Sequence, residues 1–167
     1  LSADPAALDL ACLPHFHAPA ALEGDLNQSV EFPFMLISQG LLTHSRSWQG
    51  IIPTLQECYG LQTFVRWNSW VEINSETAAE LGLADHDEVW VESPYGKLKT
   101  QVRLYPGIYP NVAFMPQGQG HFTQVAWGRH SEPGQIGVNA NTLMRSTTEP
   151  LTGQAVFNPV RVKISKA

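Results

Sequence analysis

The clearest alternation in the chain lies at residues 97–104, where Lys97, Lys99, Gln101 and Arg103 interleave with Leu98, Thr100, Val102 and Leu104. A period of two is the signature of a strand with one wet and one dry face. The Pro94-Tyr95-Gly96 turn ahead of it joins this segment to Val89-Trp90-Val91-Glu92, so a β-hairpin is predicted here. Weaker versions of the pattern recur. Phe34-Met35-Leu36-Ile37-Ser38 is an apolar run closed by Gln39-Gly40, as expected of a buried strand running into a loop. Trp70-Val71-Glu72-Ile73 and Val112–Met115 read as strands, and Val160-Arg161-Val162-Lys163-Ile164 alternates cleanly near the C-terminal end. Helical signals are fewer. A short helix is predicted from Pro53 to Gly60, and a second over Ser75–Leu81. Asn74 is placed to cap the second, Glu76 suits its first turn, and Gly82 stands where a helix stops.

Two stretches resist this reading. Residues 1–31 hold Pro5, Pro14 and Pro19 among alanines, with at most one helical turn near Pro5–Cys12, and are expected to be a linker or arm. Residues 116–141 are the longest irregular segment of the globular part, 32–167, and carry Gly118, Gly120, Gly128, Gly134 and Gly137. A loop of that length inside a domain is usually functional or disordered. Short strands dominate, their spacing is irregular and no internal repeat occurs. The predicted class is mainly β, a barrel with a few short helices.

Composition narrows the choices. The 167 residues are 43% hydrophobic and 15% charged, enough to bury the core of one domain. No apolar run approaches the roughly 20 residues of a membrane-spanning helix, so direct membrane insertion is not expected. A formal charge of -5 argues against a dedicated nucleic-acid partner. Cys12 and Cys58 are too far apart for a Cys-x-x-Cys motif and permit one disulfide at most. Leu1 is followed by neither a basic segment nor a signal-like apolar stretch, and the chain is read as a piece of a longer protein.

Candidate chemistry points to binding rather than catalysis. Cys12-x-x-His15-x-His17 lacks a fourth ligand at structural-zinc spacing, and His121 and His130 lie in a run without acids. No metal site is therefore predicted. There is no Gly-x-Ser-x-Gly elbow, and neither cysteine has basic sequence neighbours that would activate a thiolate, so no catalytic residue is assigned. Anion binding is better supported. Residues 93–131 contain no Asp or Glu but include Lys97, Lys99, Arg103 and Arg129, which suggests a neutral-to-positive field. Within it, Gln117-Gly118-Gln119-Gly120-His121 can expose backbone N–H groups to a phosphate or heterocycle. The segment Ser38-Gln39-Gly40 through His44-Ser45-Arg46-Ser47 has similar small, hydroxyl-bearing composition with one guanidinium. Asn139 and Asn141 add amides able to pair with a purine or pterin edge. Trp70 and Trp90 are expected in the core or an interface, while Trp127, beside Gly128 and Arg129, could stack on a ring.

The block Trp70–Gly96, with its Asn-capped helix ending in Leu81-Gly82, the acidic turn Asp85-His86-Asp87, the strand Val89-Trp90-Val91 and the turn at Gly96, resembles the C-terminal molybdopterin-dinucleotide-binding domain of the molybdopterin oxidoreductases, the dimethyl sulfoxide reductase family. Pro106-Gly107-Ile108, Gly118-Gln119-Gly120-His121, Val138-Asn139-Ala140-Asn141 and Pro150-Leu151-Thr152-Gly153 follow the same family pattern, and the likeness extends from Phe32 onward. The Gly-x-Gly-His form is similar to that of the polysulfide- and thiosulfate-reductase-like branch.

This resemblance implies a six-stranded double-psi β-barrel that closes over a molybdopterin guanine dinucleotide. Other domains of the parent subunit would hold the metal and an iron–sulfur cluster. By position, Ser38, Gln39, Gly40, His44, Ser45, Arg46, Gly120, His121 and Asn141 would meet the cofactor. The isolated domain is expected neither to catalyse a reaction nor to retain that cofactor. The implied partners are iron–sulfur and membrane-anchor subunits of a bacterial membrane-associated complex, on the periplasmic rather than the cytoplasmic side. Many family members have Thr-Gly-Arg where this chain has Ser38-Gln39-Gly40, leaving Arg46 as the guanidinium of that loop. The alternative is a cofactor-free structural or interaction domain in the large subunit of a quinone-linked electron-transfer complex. A freestanding barrel of the aspartate-decarboxylase type would need a Gly-Ser self-processing bond, and the chain has no Gly-Ser dipeptide.

Overall fold

In the computed structural model, which describes residues 30–44, 47–120, 137–148, 153–156 and 159–167, the apolar faces of six strands turn toward one interior. The strands are β1 (Phe34–Gly40), β2 (Trp70–Ile73), β3 (Glu88–Ser93), β4 (Gly96–Leu104), β5 (Val112–Gln117) and β6 (Val160–Lys166). They close in the order β1-β5-β2-β4-β3-β6, leaving no open sheet edge. Two pairs are parallel, β1 with β5 and β2 with β4, and the remaining four contacts are antiparallel. This is the mainly β, six-stranded double-psi barrel that the resemblance implied. Leu36, Val71, Ile73, Val89, Val91, Val102, Ala113, Met115 and Val162 fill the interior, each fully buried.

The hairpin falls where the alternation placed it, with Ser93 opposite Gly96, Glu92 opposite Lys97 and Trp90 opposite Lys99. Leu98, Thr100 and Val102 face inward. On the outer wall Lys97 lies 4.6 Å from the centroid of Trp90, which is half-buried. Helix α1 (Pro53–Thr63) runs past the predicted end at Gly60, and a 3-10 helix, Ser47–Ile51, precedes it where no element was predicted. Helix α2 (Ser75–Glu80) is capped as predicted: Asn74 Oδ1 accepts from the Glu76 N–H at 2.8 Å, and Gly82 takes φ +66°. Residues 1–29, and with them Cys12, His15, His17 and the predicted turn at Pro5–Cys12, lie outside the described residues.

Strand directions give the barrel two unlike poles. At one, α2 and residues 105–111 cover the C-terminal ends of β2 and β4. Asn74 Nδ2 donates to the Ile108 carbonyl at 2.8 Å, and Thr77 Oγ1 donates to that of Pro110 at 3.1 Å. The other pole gathers the C-terminal ends of β1, β3 and β5 with the N-terminal ends of β2, β4 and β6. The described parts of the segments singled out for ligand binding, residues 38–44, 117–120 and 139–141, are found there.

Candidate functional site

Parallel pairing of β1 with β5 sets Ser38 opposite Met115, Gln39 opposite Pro116 and Gly40 opposite Gln117. The two chains therefore leave the barrel side by side, and Gln117 Nε2 donates to the Ser38 carbonyl at 3.0 Å. Beyond Gln117, Gly118 and Gly120 take φ +98° and +85°. A Cβ on Gly120 would overlap the backbone of Asn139, and one on Gly137, at φ +63°, would overlap the Ser69 hydroxyl. Glycine is needed at both positions for close approach as well as for conformation. The Ser69 hydroxyl accepts from the Val138 N–H at 2.7 Å and donates to the Val138 carbonyl at 3.1 Å. Asn139 caps a second 3-10 helix, Ala140–Leu143, its Oδ1 accepting from the Asn141 N–H at 3.0 Å. Ser93 Oγ donates to the Leu143 carbonyl at 2.8 Å, which ties this helix to the β3–β4 turn.

Beneath these loops lies a polar cluster that is fully buried, or nearly so. Gln56 Nε2 donates to the Gly50 carbonyl at 2.5 Å and to Gln119 Oε1 at 3.0 Å. Gln119 Nε2 donates back to Gln56 Oε1 at 3.2 Å and to the Tyr59 hydroxyl at 3.0 Å. Tyr59 in turn donates to the Asn68 carbonyl at 3.0 Å. Its ring stacks on Trp70 with centroids 5.4 Å apart and meets the edge of His44 at 4.8 Å. Burial pushes the Tyr59 hydroxyl up to about 12, an effect opposed by its hydrogen bonds, so near neutral pH it remains a donor. Trp70, expected in the core or an interface, is buried on the outer face of β2 beneath α1.

The predicted site residues fall into three groups. Gln39, Gly40 and Asn141 are exposed at this pole. Ser38, His44 and Gly120 are buried in its floor, with His44 Nδ1 at 3.0 Å from Thr43 Oγ1. Ser45, Arg46 and His121 lie outside the described residues, as do Trp127, Arg129 and His130. Asn139 occupies the space where a side chain on Gly120 would stand. One expectation is corrected: Lys97, Lys99 and Arg103 do not supply a positive field here. They lie on the outer wall of β4, flanked by acids of β3 and β2, with Lys97 3.5 Å from Glu92, Lys99 2.6 Å from Glu88 and Arg103 2.7 Å from Glu72. Sequence reading also passed over Gln56 and Tyr59. Their spacing of three, which puts both on one face of a helix, was the signal that could have found them.

What remains in these segments is a set of neutral donors and acceptors, while the nearby Glu92 of β3 is paired with Lys97 and Lys163. Residues 32–56 and 137–148 contain no Asp or Glu, and Arg145 follows the second 3-10 helix as an exposed cation. Exposed amides at Gln39 and Asn141, beside close-packed backbone and on segments that carry no acids, fit an anionic dinucleotide with a heterocyclic edge. Among the described residues no group of three or more His, Cys, Asp and Glu side chains could hold a metal ion.

Comparison with known proteins agrees with this geometry. The profile of the molydopterin dinucleotide binding domain matches residues 56–161, and the chain belongs to that family. It is a molybdopterin dinucleotide-binding domain of the kind found in molybdopterin-containing subunits. One similar protein is the menaquinone reductase, molybdopterin-binding-like subunit, of Nitratidesulfovibrio vulgaris, 34% identical over 65% of this chain and 16% of the relative. Another is the arsenate respiratory reductase molybdopterin-containing subunit of Chrysiogenes arsenatis, 31% identical over 95% of this chain and 19% of the relative. The thiosulfate reductase molybdopterin-containing subunit of Salmonella typhimurium is 26% identical over 93% of this chain, again 19% of the relative. Acetylene hydratase from Pelobacter acetylenicus shares the fold, with a TM-score of 0.70 and 20% identity over 93% of this chain and 21% of that one. The chain thus spans about a fifth or less of these proteins' length.

Proposed function

We propose that the chain is the C-terminal domain, residues 32–167 with a preceding arm, of a larger bacterial oxidoreductase subunit, and that its loop-bearing pole positions the guanine form of the molybdopterin dinucleotide. The observation that carries this reading is the convergence of β1's end, the Gly118–Gly120 turn and residues 137–143, segments without Asp or Glu, on one pole. Gln39, Gly40 and Asn141 offer hydrogen-bonding groups to the ligand. Ser38, His44 and Gly120 shape the floor beneath it, and Ser45, Arg46 and His121 complete the set, with Arg46 supplying the charge for a phosphate. When bound, the cofactor carries the metal at which oxidation and reduction take place. This chain's part is to fix orientation and exclude water at the dinucleotide end. By itself it is not catalytic and does not keep the cofactor.

The parent works with iron–sulfur and membrane-anchor subunits on the periplasmic side. Support for a bacterial reductase complex comes from bacterial relatives named as reductase subunits. The test is cofactor analysis of the intact subunit, in which molybdopterin and guanine nucleotide are expected in equal amounts. Arg46→Ala is expected to weaken retention by about 1.5–3 kcal/mol, as for a lost charge-assisted hydrogen bond. Unchanged retention would overturn the assignment of that loop. A second reading, a cofactor-free structural domain in a quinone-linked complex, is favoured by the relative named as a molybdopterin-binding-like subunit of menaquinone reductase. Absence of both pterin and guanine nucleotide from the intact subunit would establish it.

A further inference from the structure

Both glycines of the Gly118–Gly120 turn take positive φ and neither carries a side chain. The residue between them supplies the turn's side-chain link to the interior. Gln119 is 5% exposed, and its amide turns inward to meet Gln56 in a reciprocal pair, each side chain donating to and accepting from the other. Both amide groups use their remaining donors, Gln56 on Gly50 and Gln119 on Tyr59, and Tyr59 passes the chain on to Asn68. One line of hydrogen bonds therefore joins the first 3-10 helix, α1, the approach to β2 and the glycine turn. Such a network orders its members together, because removing one leaves several buried partners unmatched. The turn passes this order on. Gly120 abuts the backbone of Asn139, and Ser69, next to Asn68, holds both backbone groups of Val138.

We propose that Gln56 and Gln119 are positioning residues of the dinucleotide site: their amide pair, acting through the glycine turn, fixes where Gly120 and Asn141 stand relative to the end of β1. The inference rests on the proposed cofactor role of this pole. No group of either side chain need touch the ligand.

The test measures cofactor dissociation from the intact subunit in wild type, Gln56→Leu, Gln119→Leu and the double variant. Each single change is expected to speed dissociation about tenfold, the scale of one lost buried hydrogen bond, and the double variant is expected to match the singles, because the two residues act as one unit. Leu83→Ala, at the opposite pole, is the control for general weakening. It should lower Tm while leaving the dissociation rate unchanged. Gln119→Glu separates positioning from bulk: protonated, its carboxyl again donates to Gln56 and retention recovers at acidic pH, whereas Gln119→Leu shows no such recovery. Unchanged dissociation in both leucine variants, additive effects in the double variant, or equal acceleration by Leu83→Ala would each overturn the proposal. A wild-type subunit that holds no pterin dinucleotide would instead overturn the cofactor reading, and the positioning role with it.

Discussion

The two poles of the barrel are built by different means. At the pole covered by α2, caps and stops encoded within a few residues set the helix, and longer links such as Asn74 to Ile108 and Thr77 to Pro110 then fasten residues 105–111 over it. Asn74 caps the next residues, Gly82 ends the helix, and Asp87 Oδ2 accepts from the Ala84 N–H at 3.0 Å. At the loop-bearing pole the partners are remote in sequence: Gln56 with Gln119, Ser69 with Val138, Ser93 with Leu143. The helix of the first pole is set by local rules that many proteins share. The second is held by a polar network whose members need one another, which suits a surface that must present fixed groups to a ligand.

Glycine substitutions give the sharpest contrast. Gly120→Ala forces a side chain into the backbone of Asn139 at φ +85°, and is expected to cost about 3 kcal/mol or more in urea unfolding, strain and overpacking together. Gly82→Ala meets nothing within 4 Å at φ +66°, so only the conformational cost of about 1 kcal/mol is expected. Equal costs at both glycines would remove the distinction between the poles.

Tyr59→Phe comes next. It unpairs the Asn68 carbonyl and one donor of Gln119, with an expected loss of about 2 kcal/mol near neutral pH. The same variant tests the raised hydroxyl. In wild type the unfolded chain ionises Tyr59 from about 10 upward while the folded state keeps the proton to about 12. Its contribution is therefore whole below the lower value and is lost as pH climbs through the upper one, and Tyr59→Phe should flatten that alkaline decline.

At the opposite pole Asn74→Ala removes the α2 cap and the bond to Ile108, for about 1–2 kcal/mol by thermal unfolding. The smallest effect is Asp87→Asn. The Ala84 N–H and then Lys166 hold this partly exposed carboxyl below its ordinary range. Its stabilisation is present above that range and disappears as pH falls through the lowered value, so the variant should show a shallower acid limb in stability against pH.

Legibility followed the range of the interactions. The β3–β4 hairpin and the capped helix α2 were readable because a period of two, an Asn cap and a stop glycine are encoded within a few residues. The Gly118–Gly120 turn was legible in composition, but not that Gly120 also makes room for Asn139. The charges of β4 were misread for a related reason. A run without acids looks positive along the chain, yet β2 and β3 bring Glu72, Glu88 and Glu92 alongside Arg103, Lys99 and Lys97. Gln56 and Tyr59 carried no functional pattern of their own, because the partner that gives them meaning lies about sixty residues away in the chain.

From the order of residues alone came the strand-rich class, the family likeness and the candidate loops, since propensity, alternation and capping act between neighbours in the chain. Closure of the barrel decided the rest: which loop ends share a pole, which cations are already paired, and which amides lie beneath the site. Those contacts join segments whose proximity depends on strand order and register, and no local pattern specifies either.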